Sequence, residues 1–206
     1  MTLATKAFAG FDMDGHHVRV VVTDPTRVTD AAAFARAELD AACEVFSTER
    51  PTSELQRLNR SFGRTVRVGA ALADHLRIAL DAAESTDGAV DPVRDASFQE
   101  LEFDGTAVRL PGFATLDLTA TAPAVAVARV AETVARRFGC GVLVSMADHV
   151  AAAGPEPVQG WQITVADGAD RRAVTLASGS VAVTREAADV ARRVAEQAAA
   201  AVFAAA

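Results

Sequence analysis

The chain has no tyrosine and only one tryptophan, and aromatic residues make up 5% of it. It also lacks a basic stripe interleaved with aromatic rings. These absences remove the usual platform for nucleic acid, and no nucleic-acid partner is expected. Cysteine is nearly missing as well. Cys43 and Cys140 are the only two. Both lie in apolar helix-end contexts and read as small buried hydrophobes, not as a disulfide or a reactive pair. No stretch approaches about 18 apolar residues free of charge, so no membrane span is expected. The opening Met1–Lys6 has no long apolar segment and no lipobox cysteine, which makes a cytoplasmic setting the default expectation. What is present is a chain of 206 residues, half of them hydrophobic and many of those alanine, with net charge −7. That length suffices for a sizeable core. The acidic excess favours solubility.

The stretch from Leu116 to Val150 organises the rest. An apolar run, Leu116-Asp117-Leu118, precedes a helical pattern over about 122–138, and a second apolar run follows at 141–146. Val127, Val130, Val134 and Phe138 recur at helical spacing, with Arg129, Glu132, Arg136 and Arg137 opposite. Thr121 is placed to cap the helix, Pro123 suits its first turn and Gly139 its end. Strand, helix and strand at these lengths predict a crossover unit that buries both strands.

Upstream, Asp14-Gly15 predicts a hairpin between two strands. His16 and His17 are adjacent, so in a strand they point to opposite faces. Thr29 or Asp30 would cap a helix to about Phe46 with Phe34, Ala37, Ala41 and Val45 as its inner stripe. Pro51 breaks the chain, and Thr52 or Ser53 would cap a short helix ending near Asn59. A brief strand at 65–68 leads to a helix from Ala70 to about Glu84, which ends at Asp87-Gly88. Asp104-Gly105 marks another hairpin. Downstream, Trp161–Val165 and Ala173–Leu176 flank Asp167-Gly168 as antiparallel strands, Ser180–Thr184 is a third, and an alanine-rich helix spans Glu186–Phe203. This pattern predicts an α+β fold with a mixed sheet.

Four pieces in this order resemble the FAD:protein FMN transferase (ApbE) family. They are Phe46-Ser47 through Ser53-Glu54-Leu55 and Leu58-Asn59; Thr86-Asp87-Gly88-Ala89-Val90-Asp91-Pro92; Leu116-Asp117-Leu118 with its Ala-Val-x-Arg helix; and Gly141–Val144 with Gly160-Trp161-Gln162-Ile163. The resemblance implies ApbE-like, T-fold-like mixed sheets with packed helices in one compact domain over 1–206, shortened at its C-terminal end relative to the family. It implies an enzyme that splits FAD and attaches FMN to a threonine of a target protein, with bound magnesium. It points to Met13, Ser53, Glu54, Asn59, Asp91, Thr119 and Ser145 as flavin-binding positions.

The chain departs from the family pattern where phosphoryl chemistry would be done. Thr119 and Ala120 replace two glycines, Pro123 a lysine, Ala124 a further glycine and Ala128 an acid. Ser145, Ala147, Asp148 and His149 span the family's N-x-G-G-D turn. No histidine-rich metal-binding segment lies between Thr184 and Ala206. Alanine for glycine puts a methyl where a phosphate approaches. Proline for lysine removes the cation. Magnesium is therefore not expected at the usual family site, with Asp117, Asp148 and His149 as the substitute ligands to weigh. Three readings stand: a silent or weak relative that binds FAD or another ligand, an active transferase, and a module that binds a protein partner or a second copy.

Overall fold

The computed structural model describes residues 6–167, 170–176 and 179–182. The chain is an α+β fold with several small sheets, and it divides into two compact units. Unit 1 takes residues 1–40 and 123–206, and unit 2 is the intervening 41–122. The alanine-rich closing segment 186–203 and the Asp167-Gly168 turn fall outside the described residues, wholly or in part.

Unit 1 is built on a five-stranded antiparallel sheet. β1 (Ala7–Met13) and β2 (His16–Val22) form the hairpin predicted at Asp14-Gly15, and both turn residues have positive φ, +46° and +76°. A left-handed pair matches the strand twist in a two-residue connection. β8 (Val142–Met146) pairs with β2, β9 (His149–Ala153) with β8, and β12 (Gly179–Ala182) with β9. β8 is central, and its faces are both covered: Val142, Leu143, Val144 and Met146 are all buried. One face collects Leu143, Val150, Ala152, Trp161 and Leu176, the last two from the hairpin of β10 (Trp161–Asp167) and β11 (Asp170–Leu176).

Two helices belong wholly or mainly to this unit. α1 (Val28–Phe46) follows a 3-10 turn, Pro25–Arg27, whose cap is Asp24 and not Thr29 or Asp30. Its buried residues are Ala31, Ala32, Ala35 and Leu39, whereas Ala37 and Ala41 are exposed. The buried face is turned from the predicted stripe because alanines occupy both faces, and Phe34 and Val45 are only half-buried. α4 (Ala122–Phe138) buries Val127, Val130 and Val134 as its period requires. Phe34 of α1 meets Phe138 of α4 edge to face at 6.1 Å, with Arg137 over both rings.

The predicted crossover does not form. β7 (Thr115–Leu116) pairs antiparallel with β4 (Val93–Arg94) in a two-stranded sheet of unit 2, while β8 joins the sheet of unit 1. Each flanking strand finds its neighbours elsewhere in the chain, and a parallel partnership between them would leave those neighbours unpaired. Likewise 179–182 pairs with β9, not with the preceding hairpin.

Unit 2 holds α2 (Glu54–Asn59), α3 (Ala70–Ser85) and a three-stranded sheet ordered β3 (Val66–Arg67), β6 (Ala107–Arg109), β5 (Glu102–Phe103). Asp104 caps the β5–β6 turn by accepting from the amides of Thr106 and Ala107. Leu55 and Leu58 of α2, Leu72, Leu76 and Ala79 of α3, and Val93, Val108, Leu110, Leu116 and Leu118 form one apolar cluster. It fixes the loops that carry most of the candidate residues.

Candidate functional site

Ser53 is fully buried at the N-cap of α2. Its Oγ accepts from the Gln56 amide at 3.1 Å and donates to the Ser47 carbonyl at 2.7 Å. A serine that satisfies both a helix amide and a loop carbonyl fixes the entry to the helix. Glu54, next in line, accepts from the amide of Gly69, the residue that opens α3.

At the other end of α2, Asn59 reads both backbone groups of one distant residue. Its Nδ2 donates to the Leu116 carbonyl at 2.9 Å, and its Oδ1 accepts the Leu116 amide at 2.8 Å. Leu116 can be served this way because Asp117, its neighbour, donates its own amide to the Pro92 carbonyl. Successive residues of a strand face opposite sides, so the polar groups of Leu116 point away from β4.

The 86–92 loop is closed by side chains as well. Thr86 donates to the Ala82 carbonyl and accepts from the Val90 amide. Asp87 and Gly88 hold φ of +50° and +79° at the end of α3, the left-handed stop its sequence predicts. Asp91 spends one oxygen on the Val93 amide at 2.7 Å and the other on the Phe98 amide at 3.1 Å.

Asp117 stands beside this loop. One carboxylate oxygen accepts from the amide and hydroxyl of Thr119, and the other takes a forked contact from Arg94, Nη2 at 3.0 Å and Nε at 3.2 Å. Partial burial pushes the Asp117 carboxyl up, but the Thr119 and Arg94 hydrogen bonds outweigh it and hold the group below the ordinary carboxylate range. The end of α2, the 86–92 loop and the turn after Leu118 therefore meet inside unit 2, through Asn59, Pro92, Arg94 and Asp117.

His75 and Arg94 are the residues that sequence reasoning missed. His75 is 2% exposed, stacks on Phe46 with centroids 4.6 Å apart, and shares a 2.9 Å hydrogen bond with Thr121. Burial drives its pKa down to about 4. The Thr121 hydroxyl is thus engaged by His75 and the Leu118 carbonyl, not by an amide of α4 as predicted. The signal for His75 was its position between Leu72 and Ala79 on the inner face of α3. Nothing in the local sequence marks Arg94.

The remaining candidates belong to unit 1. Met13 is buried at the end of β1, Ser145 lies half-buried in β8, and Asp148 is exposed in the two-residue turn before His149. Burial lowers the pKa of His149, partly offset by Asp148. His16 and His17 are both exposed, and Nδ1 of His17 sits 2.9 Å from Asp12.

Magnesium needs several oxygen ligands around one point. Among the described residues no three His, Cys, Asp or Glu side chains are grouped to hold an ion. Asp117 already has both oxygens engaged, and Asp91 has both on amides. The first turn of α4 presents Pro123 and Ala124, which offer no cation to a pyrophosphate.

No curated protein matches. The profile of the ApbE family matches residues 15–112. The apo form of the flavinyl transferase ApbE from Pseudomonas stutzeri superposes with a TM-score of 0.75 at 18% identity, covering 86% of this chain and 68% of that one. The ApbE protein of Thermotoga maritima gives 0.76 at 22% identity, covering 86% and 70%. A mutant of the flavin transferase ApbE from Vibrio cholerae gives 0.76 at 14% identity, covering 87% and 73%. The profile match over residues 15–112 and the shared fold make this chain similar to the ApbE-family proteins.

Proposed function

We propose that this protein is an ApbE-family member whose FAD:protein FMN transfer is lost or weak, and that the retained motif residues serve the fold. The observation that carries this reading is the use of the two acids in the matched loops. Asp91 caps a turn with both oxygens, and Asp117 is divided between Thr119 and Arg94. Phosphoryl transfer from FAD requires the charge developing on the pyrophosphate to be offset. Pro123 at the lysine position and Thr119-Ala120 at the glycine positions support the same reading. FAD remains the ligand class to which the family points, and the meeting of the α2 end, the 86–92 loop and the turn after Leu118 is where unit 2 would receive it.

The test is AMP release from FAD, followed by chromatography at millimolar magnesium beside an active family member. The expected result is no AMP above the rate without enzyme and no flavin attached to a threonine-containing acceptor. AMP formation abolished by Asp148→Ala would establish a rebuilt site and overturn the reading. Calorimetric titration with FAD and FMN measures binding separately. Saturation in the micromolar range supports a retained flavin site, and heat with an unrelated ligand but none with flavins removes flavin from the reading.

A further inference from the structure

Two phenylalanines of unit 2 are excluded from its core. Phe62 is 67% exposed and Phe113 86% exposed, and their rings meet edge to face with centroids 6.5 Å apart. Phe62 holds φ at +49°, left-handed backbone that a bulky residue rarely adopts. Such conformations persist only where the surroundings impose them, and they concentrate at functional positions. Gly63 after Phe62 and Gly112 before Phe113 also have positive φ. The two turns run side by side: a Cβ on Gly63 would lie 3.7 Å from the Gly112 carbonyl oxygen, and Arg109 Nε donates to the Gly63 carbonyl at 3.0 Å. The ring pair is therefore held in place by two tied turns.

The charge of the sequence on either side of Phe62 reverses that of the chain. Between Glu54 and Asp74 there is no acid, but there are four arginines, Arg57, Arg60, Arg64 and Arg67. Arg57, Arg60 and Arg64 donate to the backbone carbonyls of Thr52, Pro51 and Ser61. Among the described residues none of these three has a carboxylate partner. A guanidinium carries five donors, so each keeps donors for an incoming acid.

We propose that Phe62 and Phe113, with Arg57, Arg60 and Arg64, form a docking surface for an acidic polypeptide segment that carries an apolar side chain. Exposed aromatics beside arginines are the residue types that dominate binding at protein interfaces. Two rings in edge-to-face contact present a ring face and an edge to one inserted side chain. A long polyanion would meet the net −7 of the whole chain, whereas a short acidic segment meets only the arginines within a Debye length. This surface does not depend on whether FAD is cleaved.

The probe is a set of fluorescein-labelled 12-residue synthetic peptides, each with four Asp or Glu and one Trp, Leu or Phe at varied spacing. Anisotropy is measured with the full-length protein. At least one peptide is expected to saturate in the micromolar range. Its affinity should fall tenfold or more in Phe113→Ser and in the double variant R60Q/R64Q, and also on replacing its apolar residue with Ala or its acids with Lys. Thermal melts matching the parent show that both variants are folded, and Phe113→Ser makes the stronger arm because its side chain is almost wholly in solvent. No saturating peptide overturns the proposal, as does affinity unchanged in Phe113→Ser. Equal or tighter binding of a poly-dT oligonucleotide reassigns the surface to nucleic acid. Concentration-dependent dimerisation in sedimentation, abolished by Phe113→Ser, reassigns it to a second copy of this chain.

Discussion

Replacing Asn59 tests whether that residue serves the scaffold. Its carboxamide supplies the donor and the acceptor for the backbone of Leu116, which is 1% exposed. Asn59→Ala leaves one amide and one carbonyl unsatisfied in the interior. Each costs about 1–3 kcal/mol, and the expected loss is about 2–6 kcal/mol. For a chain of this length that corresponds to a drop in Tm of roughly 4–24 °C. Asn59→Asp sharpens the test. The carboxylate still accepts the Leu116 amide, but its second oxygen then faces the Leu116 carbonyl with no proton between them. The aspartate variant should be destabilised like the alanine variant at pH 7 and should recover part of the loss relative to the parent as the carboxyl is protonated. The assay is urea unfolding followed by far-UV circular dichroism at pH 7 and pH 4.5. An alanine variant that melts within a degree of the parent refutes the reasoning, and so does an aspartate variant as stable as the parent at neutral pH.

Val134→Asp puts a charge at a position with no exposure on α4 and should cost about 3 kcal/mol or more; a melt matching the parent's would mean that this face of the helix is not buried. His75 has a folded pKa of about 4 against an ordinary value of 6.5, so the unfolded chain binds the proton first. Its contribution is fully present above pH 6.5 and is lost as pH falls toward 4, by up to about 3 kcal/mol. His75→Phe should flatten that slope in pH-dependent unfolding, leaving the smaller part of the same sign from His149; an unchanged slope would mean that His75 is protonated in the fold. The Arg94–Asp117 pair has side chains 57% and 27% exposed, and Arg94→Ala should change stability by under about 1 kcal/mol; a loss of several kcal/mol in the same unfolding assay would show the pair to be a structural clamp.

Local chemistry was legible in the sequence, and pairing across distance was not. Asp14-Gly15, Asp104-Gly105, Asp87-Gly88 and the Ser53 cap each follow from a backbone angle or a side chain that answers its own neighbourhood. The face of α4 was readable because valines sit on one side and arginines on the other. The face of α1 was not, since alanine gives almost the same transfer energy whichever way it points. The β8–β9 turn was hidden for a related reason: Ala147 takes φ of +50°, a conformation alanine does not advertise. The partners of Leu116 and Asp117 are Asn59 and Arg94, tens of residues away, and no spacing rule reaches that far. The motifs that carry the candidate site residues were visible in the sequence, but which of their side chains are engaged by backbone groups was not.

The interruption of unit 1 by unit 2 has a consequence for how the chain is made. Val22 and Val142 are paired neighbours in the finished sheet, yet about 80 residues of unit 2 must leave the ribosome between them. Closing a flexible loop of about 120 residues costs on the order of 4 kcal/mol in chain entropy. Unit 2 is continuous in sequence and can complete its contacts while β8 is still unsynthesised. Its early collapse would convert most of that flexible loop into one rigid body before the sheet has to close. During that interval β1 and β2 wait as a two-stranded hairpin, which is marginal alone and presents an unpaired edge on β2. Slow synthesis through 41–122 should therefore favour correct assembly, and a destabilised unit 2 should yield aggregates made through the edge that β8 would otherwise cover.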